Sequence, residues 1–480
     1  MVDLHNEKTA EIIFKYIEKN RPRITLNSKI FDIYEGEIGS HLKEKILQDL
    51  GEETFQAAKE RIVPVNIFKK YVDKVSKIYQ QSPRREVTGS TSDAQAIKDK
   101  EIVDKFVDIL DWDMKMNINN ELWNSFRYSL LQVGSDKEKP FIRTIPNHQF
   151  LIMSVSHIDP TSDDVVILFM EPEKDVNGME KQIYWIYTDD QFAIYDSTPK
   201  IRLDLMLELN QDGTLPYDGK PFGYLNESTN LAMPKIQNDT FDITLLIPLL
   251  LSDTTYIAKF TTFTQMYTID VDAKKLSLSP NFIWPLQSDD ETDKKPEVGT
   301  IKPEGDIDKL TNLALSLLEV WLNTKGVKTG AIGTATVEAA ASGISKLIDE
   351  ADTLDIREAQ ATMYSKFETQ MWDYILKVLY PFWKEQGMIE NFGEFSPNAK
   401  VVTTFAPQTP VTNRRDIVSG QKEELDAGFT TKKRAIKTIN PNMGDSDIDE
   451  LMVEIEDDEE VLSFGEPTEQ DGNETEGSNT

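Results

Sequence analysis

The residues able to do chemistry in this chain are few and poorly placed for it. Four histidines serve 480 residues, and there is no cysteine. His5, His41, His148 and His157 lie far apart in sequence, and none has a partner at the spacing of a zinc motif. Each reads as a surface or satisfied core histidine. Without cysteine there are no disulfides, thiolate metal sites or cysteine nucleophiles, which fits a reducing compartment. Gly326, Gly330 and Gly333 open a helical pattern as the glycines of a phosphate cradle do, but Thr334-Ala335 follows where a Walker A loop needs Lys-Ser/Thr. Lys328-Thr329-Gly330 matches one element of penicillin-recognising serine enzymes, and the accompanying Ser-Asp-Asn is missing. Asp445, Asp447, Asp449 and Glu456 fall on positions 1, 3, 5 and 12 of a calcium loop, yet Glu450 occupies the sixth position, which must turn sharply. Acids at the positive end of a helix beginning near Ser446 explain the same letters. The expectation is a protein with no catalytic, metal or cofactor residues.

Charge narrows the partners. With 83 acidic against 52 basic residues the net charge is −31. Tight nucleic-acid binding needs Lys and Arg to neutralise phosphates, so simple DNA binding is disfavoured. An acidic wall that repels a duplex and lets it move stays compatible with the numbers. Met1 to Lys19 is polar rather than an apolar signal. The most apolar run, Leu245 to Leu251, contains Pro248 and is far short of the ~20 residues that span a bilayer. A soluble protein without membrane contact is expected.

Most of the information lies between Ser279 and Gly387. A proline-rich acidic loop (Pro280, Trp284, Pro285, Asp289-Asp290-Glu291, Pro296, Pro303) leads into a helical stripe of Leu310, Leu313, Ala314, Leu317, Leu318 and Trp321. After Gly326, Gly330 and Gly333 the helical pattern resumes for roughly 50 residues, on the order of 75 Å. That stretch carries Ile344, Leu347, Tyr364, Phe367, Trp372, Ile375 and Phe382, with Pro381 placed to kink it and Gly387 to close it. So long a helix suggests a strut in an assembly.

Elsewhere, residues 1 to about 130 read mostly as helices, including an amphipathic one from Val65 to Tyr79 and a variable-looking insert from Ser82 to Ala96. Phe141–Ile145, Val165–Phe169, Ile183–Tyr187 and Phe192–Tyr195 are short, β-branched and aromatic, which predicts an antiparallel sheet. Asn210 to Asn238 reads as a loop-rich bridge. Thr254 to Leu278 has strand composition but helical spacing, and helix is expected. Val461 to Thr480 reads as a disordered acidic tail.

The order of these features resembles the portal (head–tail connector) protein of tailed bacteriophages. Tyr34-Glu35-Gly36, then Pro64-Val65-Asn66 and the helix to Tyr79, resembles the family's opening. Pro221-Phe222-Gly223 ahead of Ile247-Pro248-Leu249 resembles the bridge into its stem. Asp306 to Gly326, then Ala341-Ser342-Gly343-Ile344, resembles the second stem helix, tunnel loop and long wing helix; Val402 to Pro407, Pro410 and the helical pair toward Asp449–Glu456 resemble its close.

The resemblance implies an α+β, mainly helical chain with wing at 1–240 and 334–400, stem helices at 241–278 and 306–325, clip at 279–305, tunnel loop at 326–333 and crown at 401–460. It implies a homo-oligomeric ring, usually of twelve, at one vertex of a virion built in the host bacterial cytoplasm. Double-stranded DNA would pass through it during packaging and ejection. The implied partners are the terminase large subunit, a head-completion or tail adaptor, and the major capsid and scaffolding proteins. Carried onto this sequence, the tunnel loop holds Lys325, Gly326, Lys328, Thr329, Gly330 and Gly333, and the clip offers Phe282, Trp284, Asp289, Asp290 and Glu291 to partners. Few loop lysines should engage DNA at once, because a protein making 6–10 phosphate contacts already binds tightly. Two other classes stay open on the sequence. One is a capsid or tail subunit, which would form shells or tubes. The other is an acidic metal-dependent nucleic-acid enzyme, which needs carboxylates clustered by a fold.

Overall fold

The structure is a computed structural model that describes residues 3–135, 139–154, 164–174, 178–206, 212–227, 232–234, 238–262, 265–269, 297–301, 306–328, 343–389, 392–406, 414–440, 443–444, 448–449 and 451–455. Helix α1 (Glu7–Glu35) starts where the Asn6 side chain accepts from the Lys8 amide, and stops at Gly36, whose φ of 106° suits a residue without Cβ. Helix α2 (Ile38–Ala58) is bent at Gly51 (φ 72°). Helix α3 (Ile67–Val75) is capped by Asn66 and buries Phe68, Tyr71, Val72 and Val75 on one stripe. It is shorter than the sequence pattern: Ile78 and Tyr79 are buried in the turn beyond it.

The variable-looking insert from Ser82 to Ala96 carries regular structure. It forms strand β1 (Arg84–Thr88) and, after the Ser92 cap, the start of helix α4 (Asp93–Ile109). Helix α5 (Trp112–Phe126) follows. From Tyr128 the apolar period changes to two. Strands β2 (Tyr128–Ser135), β3 (Pro140–Ile145), β4 (Phe150–Met153), β5 (Val165–Lys174), β6 (Glu180–Tyr187), β7 (Phe192–Tyr195) and β8 (Phe222–Asn226) make two antiparallel sheets, ordered β4-β5-β6-β7 and β3-β2-β8. Three of the four segments expected to form one antiparallel sheet pair with one another in the four-stranded one; Phe141–Ile145 lies instead in the other sheet, beside β2, and β8 lies within the expected bridge. In the four-stranded sheet, pairing puts Phe169, Tyr184 and Tyr195 on one face, where Phe14 of α1 meets Tyr184 and Tyr195 edge-on at 5.5 and 6.0 Å. Leu168, Trp185 and Ile194 share the opposite face.

Helix α6 (Asn238–Thr262) ends well before Leu278, and strand β9 (Gln265–Ile269) follows it. The expected helix over Thr254–Leu278 is thus corrected. Its β-branched and aromatic composition prevails from Gln265, because strand β10 (Glu297–Ile301) supplies an antiparallel partner. Residues 270–278 lie outside the described residues. Within α6 the stretch Asp239–Ala258 is long and apolar enough, by length and composition, to cross a membrane. The same helix packs against α1, α2, α3 and helix α7 (Ile307–Thr324).

Helix α8 (Gly343–Tyr374) is 32 residues, about 48 Å at 1.5 Å per residue. It continues through a π-helical turn (Ile375–Leu379) into helix α9 (Tyr380–Glu385). The widened turn sits just before Pro381, whose ring and missing N–H do not fit a regular α-helical turn. Gly387 (φ 73°) closes the run, as its position in the sequence suggested. Strand β11 (Lys400–Thr404) pairs with β1, and helices α10 (Arg414–Asp426) and α11 (Lys432–Ile439) pack on each other near the end. One hydrophobic core joins α1, α3, α6, α7 and the four-stranded sheet. A second gathers α4, α5 and the α8–α9 run around Trp112, Trp372 and Trp383. The chain is α+β and mainly helical. The acidic tail 461–480 lies outside the described residues.

Candidate channel hairpin

Helices α6 and α7 form an antiparallel pair. At one end their continuations, β9 and β10, pair from Gln265↔Ile301 to Ile269↔Glu297. At the other, Lys325 Nζ lies 3.1 Å from Asp239 Oδ2, fastening the end of α7 to the first turn of α6. Both charges suit their positions: a carboxylate at a helix N-terminus and an ammonium at a C-terminus each oppose the local macrodipole. The 25-residue α6 spans about 37 Å. The two helices and the ribbon make a helix–ribbon–helix hairpin whose helices pack against α1, α2 and α3 of the main core.

The hairpin is terminated by a tight helix stop. Gly326 takes φ +71°, the Val327 amide donates to the Leu322 carbonyl at 2.9 Å, and the Gly326 amide donates to Asn323 at 3.1 Å. Leu322 and Val327 are both buried beneath that turn. This is the paired-bond ending that glycine permits. A Cβ at Gly326 would also come 3.2 Å from Ile356 Cδ1 on α8.

One face of α7, Ala314, Leu318, Trp321 and Leu322, is buried. Trp321 packs edge-on to Tyr71 at 5.3 Å. Flanking that face, Leu313, Leu315 and Val320 are 47, 45 and 62 % exposed. At 100° per residue Leu313 and Val320 share one flank with half-buried Leu310 and Leu317, while Leu315 lies on the other. Among the described residues, the apolar arc of α7 is wider than the part that is buried.

Of the site residues expected from the sequence, Lys325 is a mostly buried cap residue paired with Asp239, Gly326 is the helix stop, and Lys328 is half-buried one residue beyond Val327. Thr329, Gly330, Gly333, Phe282, Trp284, Asp289, Asp290 and Glu291 lie outside the described residues, as do His157, Asp445, Asp447 and Glu456. Asp449 is exposed and pairs with Lys433. Among the described residues no group of three or more His, Asp or Glu is arranged to hold a metal ion. Sequence reasoning missed Asp239 as the partner of Lys325, and missed that Leu313 leaves the stripe that Ala314, Leu318 and Trp321 bury. The alternation of fully and partly apolar positions along α7 was its only signal.

No family model matches the chain, and no curated protein matches it. Among solved structures it is loosely similar to a chain of the neck of an empty GTA particle computed with C6 symmetry. That chain is 8% identical, with a TM-score of 0.38 over 79% of this chain and 90% of that one.

Proposed function

We propose that this chain is a virion structural protein, a ring-forming portal through which double-stranded DNA passes. The observation that carries the reading is the α6–α7 hairpin with apolar side chains on both free flanks of α7. A subunit in a closed ring meets one neighbour on each side through two different patches, so a hairpin with two uncovered apolar flanks suits a head-to-tail arrangement. The order of the sequence motifs supports the same reading, as does a charge of −31, which discourages DNA from adhering to the wall. In this reading α6 and α7 are the stem, the segment between β9 and β10 is the docking tip for terminase and adaptor, and residues 328–333 approach DNA. Lys325, tied to Asp239, anchors the stem instead of contacting the duplex.

Mass photometry with negative-stain imaging of the purified chain tests this. Rings with a central hole near 656 kDa, about twelve copies of a 54.7 kDa chain, or at a neighbouring whole number of copies, are expected. A monomer at every concentration would overturn the reading.

A further inference from the structure

A cavity of about 570 Å³ opens between β3 and the face of the four-stranded sheet turned away from α1. That volume lies within the roughly 300–1,000 Å³ typical of small-molecule sites. Leu168, Ile183, Trp185 and Ile194 supply an apolar floor. Arg143, on β3, enters from the other side.

The state of Arg143 sets this cavity apart from a packing gap. Its Nε donates to Gln132 Oε1 at 2.6 Å, and its guanidinium carbon lies 5.8 Å from the centre of the Phe141 ring. Those contacts use one N–H and one face of the fork. Among the described residues no carboxylate comes within ion-pair distance of it. Burial works against the charge of this side chain, yet a guanidinium stays charged at any ordinary pH. Among the described residues the terminal nitrogens of this half-buried cation meet no anion beside the apolar floor, which leaves them available to a ligand's oxyanion. The nearby described carboxylates are not on it. Glu173 is taken by Arg202 at 2.9 Å, and Glu171 is exposed at the mouth.

We propose that this cavity binds a small amphipathic anion, its carboxylate, sulfonate or phosphate held by the fork of Arg143 and its apolar body laid on Leu168, Trp185 and Ile194. Bidentate recognition of such oxyanions is what the planar guanidinium does best. The acidic mouth favours entry with the charged head inward and disfavours ligands anionic along their length. The site is independent of ring formation and of the channel.

The test uses the full chain and two fluorescent probes of nearly the same shape, anionic 1-anilinonaphthalene-8-sulfonate and uncharged N-phenyl-1-naphthylamine. The intact protein binds the sulfonate saturably, and decanoate displaces it while decanol at the same concentration does not. Arg143→Met weakens sulfonate binding by about tenfold or more and leaves the uncharged probe within about threefold, the loss expected for a charge-assisted contact. Ile194→Trp, which fills the floor, loses both. Arg143→Lys keeps a cation without the fork and recovers only part of the sulfonate affinity; it also serves if the methionine variant fails to fold. Equal sulfonate affinity in Arg143→Met or Arg143→Lys and in the unmodified chain would overturn the proposal. Unchanged binding of both probes to Ile194→Trp would do the same.

Discussion

Arg85 and Glu368 are 283 residues apart in the chain, and Arg85 Nε donates to the carboxylate of Glu368 at 2.9 Å, with Arg85 side chain 5% and Glu368 0% exposed. The carboxylate also accepts from Tyr79 Oη at 2.7 Å and Thr403 Oγ1 at 3.0 Å, while Arg85 Nη2 is shared between Glu368 and Asp113. One buried carboxylate thus ties β1, the turn after α3, β11 and the long helix together. Arg85→Met leaves Glu368 buried without its counter-charge, and should destabilise the chain by about 3–5 kcal/mol. The double variant Arg85→Met/Glu368→Leu should recover much of that loss. Urea denaturation of the three proteins decides it: a single variant costing under ~1 kcal/mol would show that water reaches the site.

The exposed flanks of α7 give a prediction about assembly. Val320→Glu puts a charge on a flank of α7 that is mostly exposed among the described residues. The melting temperature of the subunit should change little, since surface substitutions away from special contacts usually stay within about 0.5 kcal/mol. The proposed ring, followed by mass photometry, should fall apart or weaken by at least an order of magnitude, because an unpaired charge buried at an interface is strongly unfavourable. Leu313→Ser should act the same way, more mildly. A variant that still forms the same particles at the same concentration would remove this flank from the interface.

How much of this was legible in the sequence depended on how local each signal is. The α7 stripe and the Gly326 stop were readable because a helix period and a glycine stop need only neighbours in sequence. Strand β1 was not. Arg84-Arg85-Glu86-Val87-Thr88 opens with consecutive charges inside a variable-looking insert, and its partner Lys400–Thr404 comes more than 300 residues later. A buried Arg85 becomes tolerable only once Glu368 and Asp113 are beside it. In Thr254–Leu278 composition and spacing disagreed, and tertiary pairing divided the segment, giving Thr254–Thr262 to the helix and Gln265–Ile269 to the ribbon. The loop lysines show the same limit. Their charge was visible, but the carboxylate that Lys325 meets, Asp239, belongs to another helix. Which α7 leucines stay uncovered likewise depends on where α6 lies.

His148 supplies a pH dependence. Its ring packs 4.8 Å from Phe31, and burial pushes its pKa below the ordinary value of 6.5, with Asp32 opposing the shift. The folded state therefore resists protonation more than the unfolded chain does. Its contribution to stability is full above the unfolded pKa near 6.5 and is lost as pH falls from there toward the lower folded value. His148→Phe should flatten the stability profile across that window and leave the profile above pH 7 sloping as before. Denaturation midpoints measured between pH 7.5 and 5 check this, and an unchanged slope below 6.5 in the variant would assign the dependence to another group.

The base of the hairpin separates two effects that lie one residue apart. Lys325→Met removes the 3.1 Å contact with Asp239, but Asp239 is about half exposed and keeps its water, so the cost should stay under about 1 kcal/mol and shrink further in high salt. Gly326→Ala acts on the backbone. A φ of +71° is strained for alanine, and the new methyl presses to 3.2 Å from Ile356 Cδ1, so its cost should exceed about 1 kcal/mol and be indifferent to salt. The two variants compared at low and high salt distinguish an electrostatic latch from a conformational one. If Lys325→Met proves the more damaging, and high salt destabilises the unmodified chain to the same extent, then the ion pair and not the glycine stop holds the end of α7 against α6.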